Sequence, residues 1–349
     1  MKYSFQKNVA CSQMTLPAVG AISAFLWFVL PDNGAHGSFT GSEYGVWNFL
    51  PQSVTDNAWT HEISLIICAL AVYLMAELNN ANMLLRVSSR MLSSMLAITL
   101  ALSLNCHNLQ PGLVLMLLSL MSYFSLFDSY KQPHPGHVFI SFIFVSMSSL
   151  FFPGLVWVSV IYWILAGMMR SLTLRCLIAS ILAMLLPYWI VAGAAVFFGF
   201  VPQLFQHFQQ MVSFRIGSYA DIGIGTAALA IFTTILFISG AIDFYANRLL
   251  DRTRTRASLN AVFVHGCAFI MAMALQPQHI DVLQPVLLVD TAILFGHFFT
   301  LTHTRFSHIY MIVMLVLAIV TVMLQCSTIC QDTFRLATDF FSGLTHSWL

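Results

Sequence analysis

Apolar runs of 15 to 25 residues recur eleven times along this chain of 349 residues, most of them separated by only short polar breaks. About 20 apolar residues in a helix cross the hydrocarbon core of a bilayer. Inside that core every backbone N–H and C=O must be satisfied internally, which leaves helices and closed barrels as the only spanning forms. Continuous rather than alternating runs select helices. They lie near 14–30, 60–78, 90–106, 111–127, 138–152, 154–169, 176–200, 223–245, 258–276, 282–301 and 308–326. The chain therefore reads as all-α and polytopic, one transmembrane domain over 1–349.

Composition agrees. Charged residues make up 8% of the chain, about one-third of the ~25% usual for soluble domains, and mean hydropathy is +0.83. A net charge of +1 without a basic patch argues against a nucleic-acid partner. No G-x-x-x-x-G-K-[ST] string occurs, which argues against an ATP-driven motor. Seven cysteines are scattered, and only Cys326 and Cys330 have a suggestive spacing, read here as helix neighbours. No metal or cofactor is implied.

The basic residues set the expected orientation. With the N-terminus in the cytoplasm, Lys2, Lys7, Arg86, Arg90, Lys131, Arg170, Arg175, Arg248, Arg252, Arg254, Arg256 and Arg305 fall inside, and only Arg215 and Arg335 outside. The first run, 14–30, is 17 residues, longer than a signal-peptide core of about 7–15, and reads as an uncleaved span. Residues 138–169 are ambiguous. Two runs of about 15 residues joined by Phe152, Pro153 and Gly154 make either two thin spans or a re-entrant hairpin, so the count is eleven, or nine plus the hairpin. External segments follow at 31–60 and 201–222, with an external tail over 327–349. In the second, Leu204, Phe205, Phe208, Met211 and Val212 form an apolar stripe that reads as a short interfacial helix ending at Arg215.

Two stretches resemble a known family. ELNNANMLLRVSSRMLSSM (77–95) is similar to the Asn/Arg-bearing cytoplasmic turn of an uncharacterised family of multi-spanning inner-membrane proteins from Bacteroidota. LFFPGLVWVSVIYWILAGMMRSLTLRCLIASILAMLLPYW (150–189) resembles that family's short hairpin, Arg-bearing turn and Pro-containing next span. The resemblance covers about a third of the chain. It implies the inner membrane of a bacterial envelope and carries no chemistry to particular residues.

Two polar constellations are candidates for function. Asp290 sits in QPVLLVDTAILFGHFF (284–299), where a charge at mid-membrane costs roughly 2.5–3.5 kcal/mol. If the flanking helices turn near QPQHID, His265 and Asp290 fall within about 4–5 Å in depth, and His297 lies on the same face as Asp290. This set reads either as a proton- or substrate-coupling site or as a structural interhelical contact. The second constellation is external: Asp32, Glu43, Asp56, His61 and Glu62, with His207, Arg215, Tyr219 and Asp221. It is similar to the acidic first external loop of glycosyltransferases that use lipid-linked sugars. On that likeness Asp32 or Asp56 is the general base, with His61 beside it, and Arg215 and His207 bind the lipid phosphate. Its structural alternative is ordinary loop solvation. The arginines of 246–256 read as a topology anchor on anionic lipid, and LNNAN (78–82) as a polar turn satisfying helix ends.

Of three functions, the first is the leading reading and the other two are its alternatives. The first is an envelope glycan- or lipid-assembly enzyme acting on a lipid-linked substrate at the external face. The second is a proton-coupled transporter or flippase using Asp290 and His265. The third is a non-catalytic scaffold subunit. Membrane lipids are partners under all three, and a lipid-linked glycan under the first.

Overall fold

The computed structural model describes residues 12, 14–30, 47, 59–87, 89–212, 217–219, 222–302 and 305–346, with side chains of the last helix from 307 to 327. Among them are twelve α-helices and no strand. In chain order they are α1 (Thr15–Val29), α2 (Thr60–Asn82), α3 (Met91–Leu102), α4 (Pro111–Asp128), α5 (Pro135–Phe151) and α6 (Val158–Met168). Then come α7 (Leu174–Phe198), α8 (Val201–Val212), α9 (Ile224–Asn247), α10 (Thr253–Leu275), α11 (Ile280–Leu301) and α12 (Arg305–His346). Seven of these segments, containing α2, α4, α7, α9, α10, α11 and α12, are long and apolar enough to cross a membrane. The helices α1, α3, α5 and α6 are shorter and also apolar.

Local chemistry marks the helix ends. Pro111 and Pro135 open α4 and α5, where a missing N–H costs nothing. Thr173 caps α7 by accepting from Cys176 N, and Gly199, at φ 79°, supplies the left-handed residue that ends it. Asn79 does the work of a cap beyond α2: its amide donates to Ser89 O at 3.0 Å and its carbonyl accepts from Leu85 N at 3.3 Å.

The bundle is built around α11. Of its 22 residues 19 are buried, and α3, α4, α9 and α10 surround it. Lipid tails are as apolar as leucine, so close packing and interhelical hydrogen bonds, rather than removal from water, hold helices in such an environment. Glycines supply the closeness. A Cβ on Gly240 of α9 would stand 2.6–2.8 Å from backbone atoms of Leu294 and Phe295, and one on Gly112 of α4 would stand 2.7 Å from Val282 O. Outer helices turn apolar side chains away from the core, among them Leu182, Trp189 and Phe197 on α7 and Leu315 and Met323 on α12.

The two ends of the bundle differ in charge. At one end the turns 83–90, 128–134, 169–173 and 248–252 are tied together. Lys131 N donates to Met169 O at 2.9 Å, Thr255 Oγ1 to Met83 O at 3.2 Å, and Arg254 Nη2 to Asn82 Oδ1 at 2.9 Å and Asp128 Oδ1 at 3.0 Å. Nine basic residues gather here: Arg86, Arg90, Lys131, Arg170, Arg175, Arg248, Arg252, Arg254 and Arg256. At the other end, Asn105 donates to Asp281 at 2.5 Å, Gly217 N to Leu275 O at 3.2 Å, and Gln325 Nε2 to Leu102 O at 3.0 Å. Among the residues whose side chains are described, that end carries no Lys or Arg.

The 138–169 element resolves into α5, a 3-10 turn over Pro153–Trp157, and α6. Its feet meet at the arginine-rich end through the Lys131–Met169 bond. Its tip meets α8, where Trp157 Nε1 donates to Met211 O at 3.1 Å. Because α8 follows the far end of the 25-residue α7, the hairpin reaches from one end of the bundle to the other.

Candidate functional site

Asp290 lies halfway along α11 and is fully buried. Two neighbouring helices bring it partners. Tyr123 of α4 donates its Oη–H to Asp290 Oδ1 at 2.5 Å, and His265 Nδ1 of α10 stands 2.7 Å from Oδ2. Both partners are buried too, His265 at 1% exposure. The register explains the meeting. His265 lies ten residues before Leu275 on α10, and Asp290 ten after Ile280 on α11, so a tight Pro277–His279 turn sets them level.

The proton between His265 and Asp290 has two homes. With Asp290 ionised, Nδ1–H donates to the carboxylate; with Asp290 neutral, the acid donates to Nδ1. The Tyr123 hydroxyl holds the Oδ1 side of the Asp290 carboxyl group in place. Nδ1 being committed, Nε2 is the ring nitrogen left to exchange a proton, and among the described residues it makes no hydrogen bond.

His265 also lines a cavity of about 20 Å³ with Ser119, Ser122, Ser148, Tyr162 and Val286. That is space for about one water molecule. Tyr162 Oη shares a short hydrogen bond with Ser122 Oγ, and its ring meets His265 edge-on, centroids 5.7 Å apart. Ser119 Oγ is buried and, among the described residues, unbonded. Leu115, Leu155 and Val158 continue the lining towards the arginine-free end.

His297 follows Asp290 by seven residues, about 10.5 Å along the helix. No hydrogen bond among the described residues joins them, and close packing at Gly240 and Gly296 fills the interval. His297 faces Asp251 of the 248–252 turn instead, with Nε2 3.5 Å from Oδ2, an ion-pair separation rather than a formed hydrogen bond. Arg86 Nε donates to Asp251 Oδ1 at 2.5 Å. Burial raises the Asp251 carboxyl, but His297 and Arg86 outweigh it and hold the group below its ordinary range.

The external candidates divide. Asp32, Glu43, Asp56, Arg215 and Asp221 lie outside the described residues. His61 opens α2, its ring 5.7 Å from Trp27 and 6.0 Å from His107, while Trp27 stacks on His107 at 4.1 Å. Glu62 beside it is exposed, and the Tyr219 hydroxyl donates to Ala274 O. His207 turns inward from α8 against Tyr188, ring centroids 5.9 Å apart, and burial lowers its pKa to about 4. A neutral, buried imidazole is a poor phosphate partner. The apolar stripe of α8 instead leaves Phe205, Phe208 and Val212 exposed.

Among the described residues no three His, Cys, Asp or Glu side chains converge as a metal-binding set. Cys326 is a free thiol, and the Cys330 side chain lies outside the described residues. Tyr123, Tyr162 and Asp251 carry no motif that marks them in the sequence. Their only signal is that polar groups placed in or beside apolar runs need partners. No family model matches this chain, and no curated protein matches it.

Proposed function

We propose that this chain is a multi-spanning protein of a bacterial inner membrane and acts as a proton-coupled carrier, with His265 and Asp290 as its proton-binding centre. Eleven crossings, N-terminus in the cytoplasm and C-terminus outside, fit the gathering of nine basic residues at one end of the bundle. The hairpin supports counting its two arms as crossings, since it reaches the height of α7. The resemblance of 77–95 and 150–189 to the Bacteroidota inner-membrane family supports the compartment.

One observation carries the functional reading: a carboxylate, an imidazole and a phenol meet in the dry centre of the bundle, beside a cavity with room for about one water. Intramembrane acids of this kind mark proton relays. In the proposed cycle His265 Nε2 takes a proton from the cavity side, and Nδ1 gives its own proton to Asp290 Oδ2, leaving a neutral imidazole and a neutral acid, while Tyr123 holds the carboxyl group in place. Neutralising Asp290 weakens its hold on α4 and α10, the coupling step that lets the bundle rearrange around its cargo.

A second reading, an enzyme acting on a lipid-linked substrate outside, draws on His61. This residue stands with Trp27 and His107 where the segment bearing Asp32 and Asp56 joins α2. The test replaces each acid in the source bacterium and follows lipid-linked intermediates and finished envelope glycans by mass spectrometry. Loss with Asp290→Asn alone supports the carrier. Loss with Asp32→Asn or Asp56→Asn alone supports the enzyme. No change with any of the three sinks the enzyme and any lipid-linked cargo, and leaves a small-solute carrier or a scaffold.

A further inference from the structure

His297 is 1% exposed, and among the described residues neither ring nitrogen has a hydrogen-bond partner. Asp251 Oδ2, at 3.5 Å from Nε2, is buried and equally unbonded among the described residues. A buried polar group left without a partner costs about 1–3 kcal/mol, a cost that an apolar residue at position 297 would avoid. The idle groups face each other, and the remaining Asp251 oxygen is already held by Arg86, which also donates to Asn247 O at 3.3 Å. Three segments meet at this point: α11, the 248–252 turn and the 83–90 turn.

We propose that His297 and Asp251 form a second proton-binding site, at the arginine-rich end, separate from the His265–Asp290 centre. Neutral His297 takes one proton at its free nitrogen and becomes an imidazolium. Its Nε2–H then closes the short remaining gap to Asp251 Oδ2. Asp251 stays a carboxylate throughout, its charge balanced by Arg86 on one oxygen and His297 on the other. Binding the proton thus fastens α11 to both turns, and losing it releases them. The site's purpose, handing protons to or from the cytoplasm, rests on the carrier reading; its geometry does not.

Asp251 is the acid at ion-pair distance from His297, although Asp243 Oδ2 nearby is also buried and unbonded among the described residues. Phe244 of α9 meets His297 with its ring edge-on, centroids 6.2 Å apart. Asp243, one residue earlier, is engaged through Oδ1 by Asn247 at 2.9 Å and Thr302 at 2.7 Å. Arg254, at the start of α10, is taken by Asn82 and Asp128. On α4 the titratable groups are Tyr123, bound to Asp290, and Asp128, paired with Arg254. Arg90 precedes α3, and His308 on α12 is exposed.

Hydrogen–deuterium exchange on the full chain in lipid nanodiscs tests this, at about pH 5 and about pH 8 to bracket the ordinary imidazole range and with intrinsic exchange rates divided out. The expected result is exchange about tenfold slower at the lower pH in the 83–90 and 248–252 turns, with the response abolished in both His297→Gln and Asp251→Asn. A response that survives His297→Gln, or none in the wild type, overturns the site. Should Asp251→Asn fail to fold, His297→Gln alone decides. His265→Gln separates the two readings: proton-coupled activity should be lost while the turn response persists. If His265→Gln keeps full activity, the carrier reading fails and the second site stands.

Discussion

A single carboxylate in the dry centre of a bundle is tolerable because two helices bring it donors. Asp290→Asn keeps the shape and one acceptor for Tyr123 but cannot take a proton. Since interhelical hydrogen bonds in membranes average about 0.6 kcal/mol, this variant should stay folded, within roughly 1 kcal/mol of wild type by thermal unfolding in detergent, while proton-coupled transport falls at least tenfold. Tyr123→Phe removes only the donor that positions the carboxylate. Its activity should fall less than that of Asp290→Asn. Arg86 behaves differently, since Asp251 is buried and paired with it. Arg86→Ala strands that charge, and removing one partner of a buried pair typically costs about 3–5 kcal/mol. Partial exposure of Arg86 moderates this, so the thermal midpoint should drop clearly but by less than that figure implies.

Between helices, fit is set by glycine. Gly240→Ala would drive a methyl into the backbone of Leu294 and Phe295, where no side chain can swing aside. Overpacking of this kind costs about 1–3 kcal/mol, and it should lower the thermal midpoint and weaken the contact of α9 with α11. Gly193→Ala on α7, with nothing within 4 Å, should be neutral or slightly stabilising. The helix α8 offers a pH test. Burial holds His207 near pKa 4, below the ordinary ~6.5, so the undocked helix binds the proton more readily. Docking of α8 is therefore strongest above about pH 6.5 and weakens as pH falls towards the docked value. Exchange across 201–212 should speed up over that window, and His207→Phe should remove the dependence.

For the whole molecule, orientation is the first quantity to measure. Cysteines introduced at Gln132 or Arg248, in a background without exposed native thiols, should react with an impermeant maleimide only after permeabilisation. One at Gln278, exposed at the arginine-free end, should react in intact spheroplasts. The opposite pattern would invert the bundle and put the His297–Asp251 site at the external face.

The helices and their order follow from hydropathy alone, because each run of apolar residues has one way to satisfy its backbone in lipid, and the runs from 14–30 to 308–326 each coincide with helix in the structure. The clustering of arginines was legible for the same reason: basic residues stop a helix from moving further into the membrane. The level of His265 with Asp290 also follows from chain length, since a short turn leaves little freedom in depth. Rotation about each helix axis was not legible. Nearly every position in α11 is apolar, so periodicity offers no preferred face, and 19 buried residues look alike to any sequence pattern. Only packing decided that Tyr123 would turn towards Asp290. Packing likewise set His297 against Asp251 rather than in line with His265, and turned His207 inward from α8. Those choices depend on glycine contacts and on where the few polar groups find partners, and both are properties of the assembled bundle.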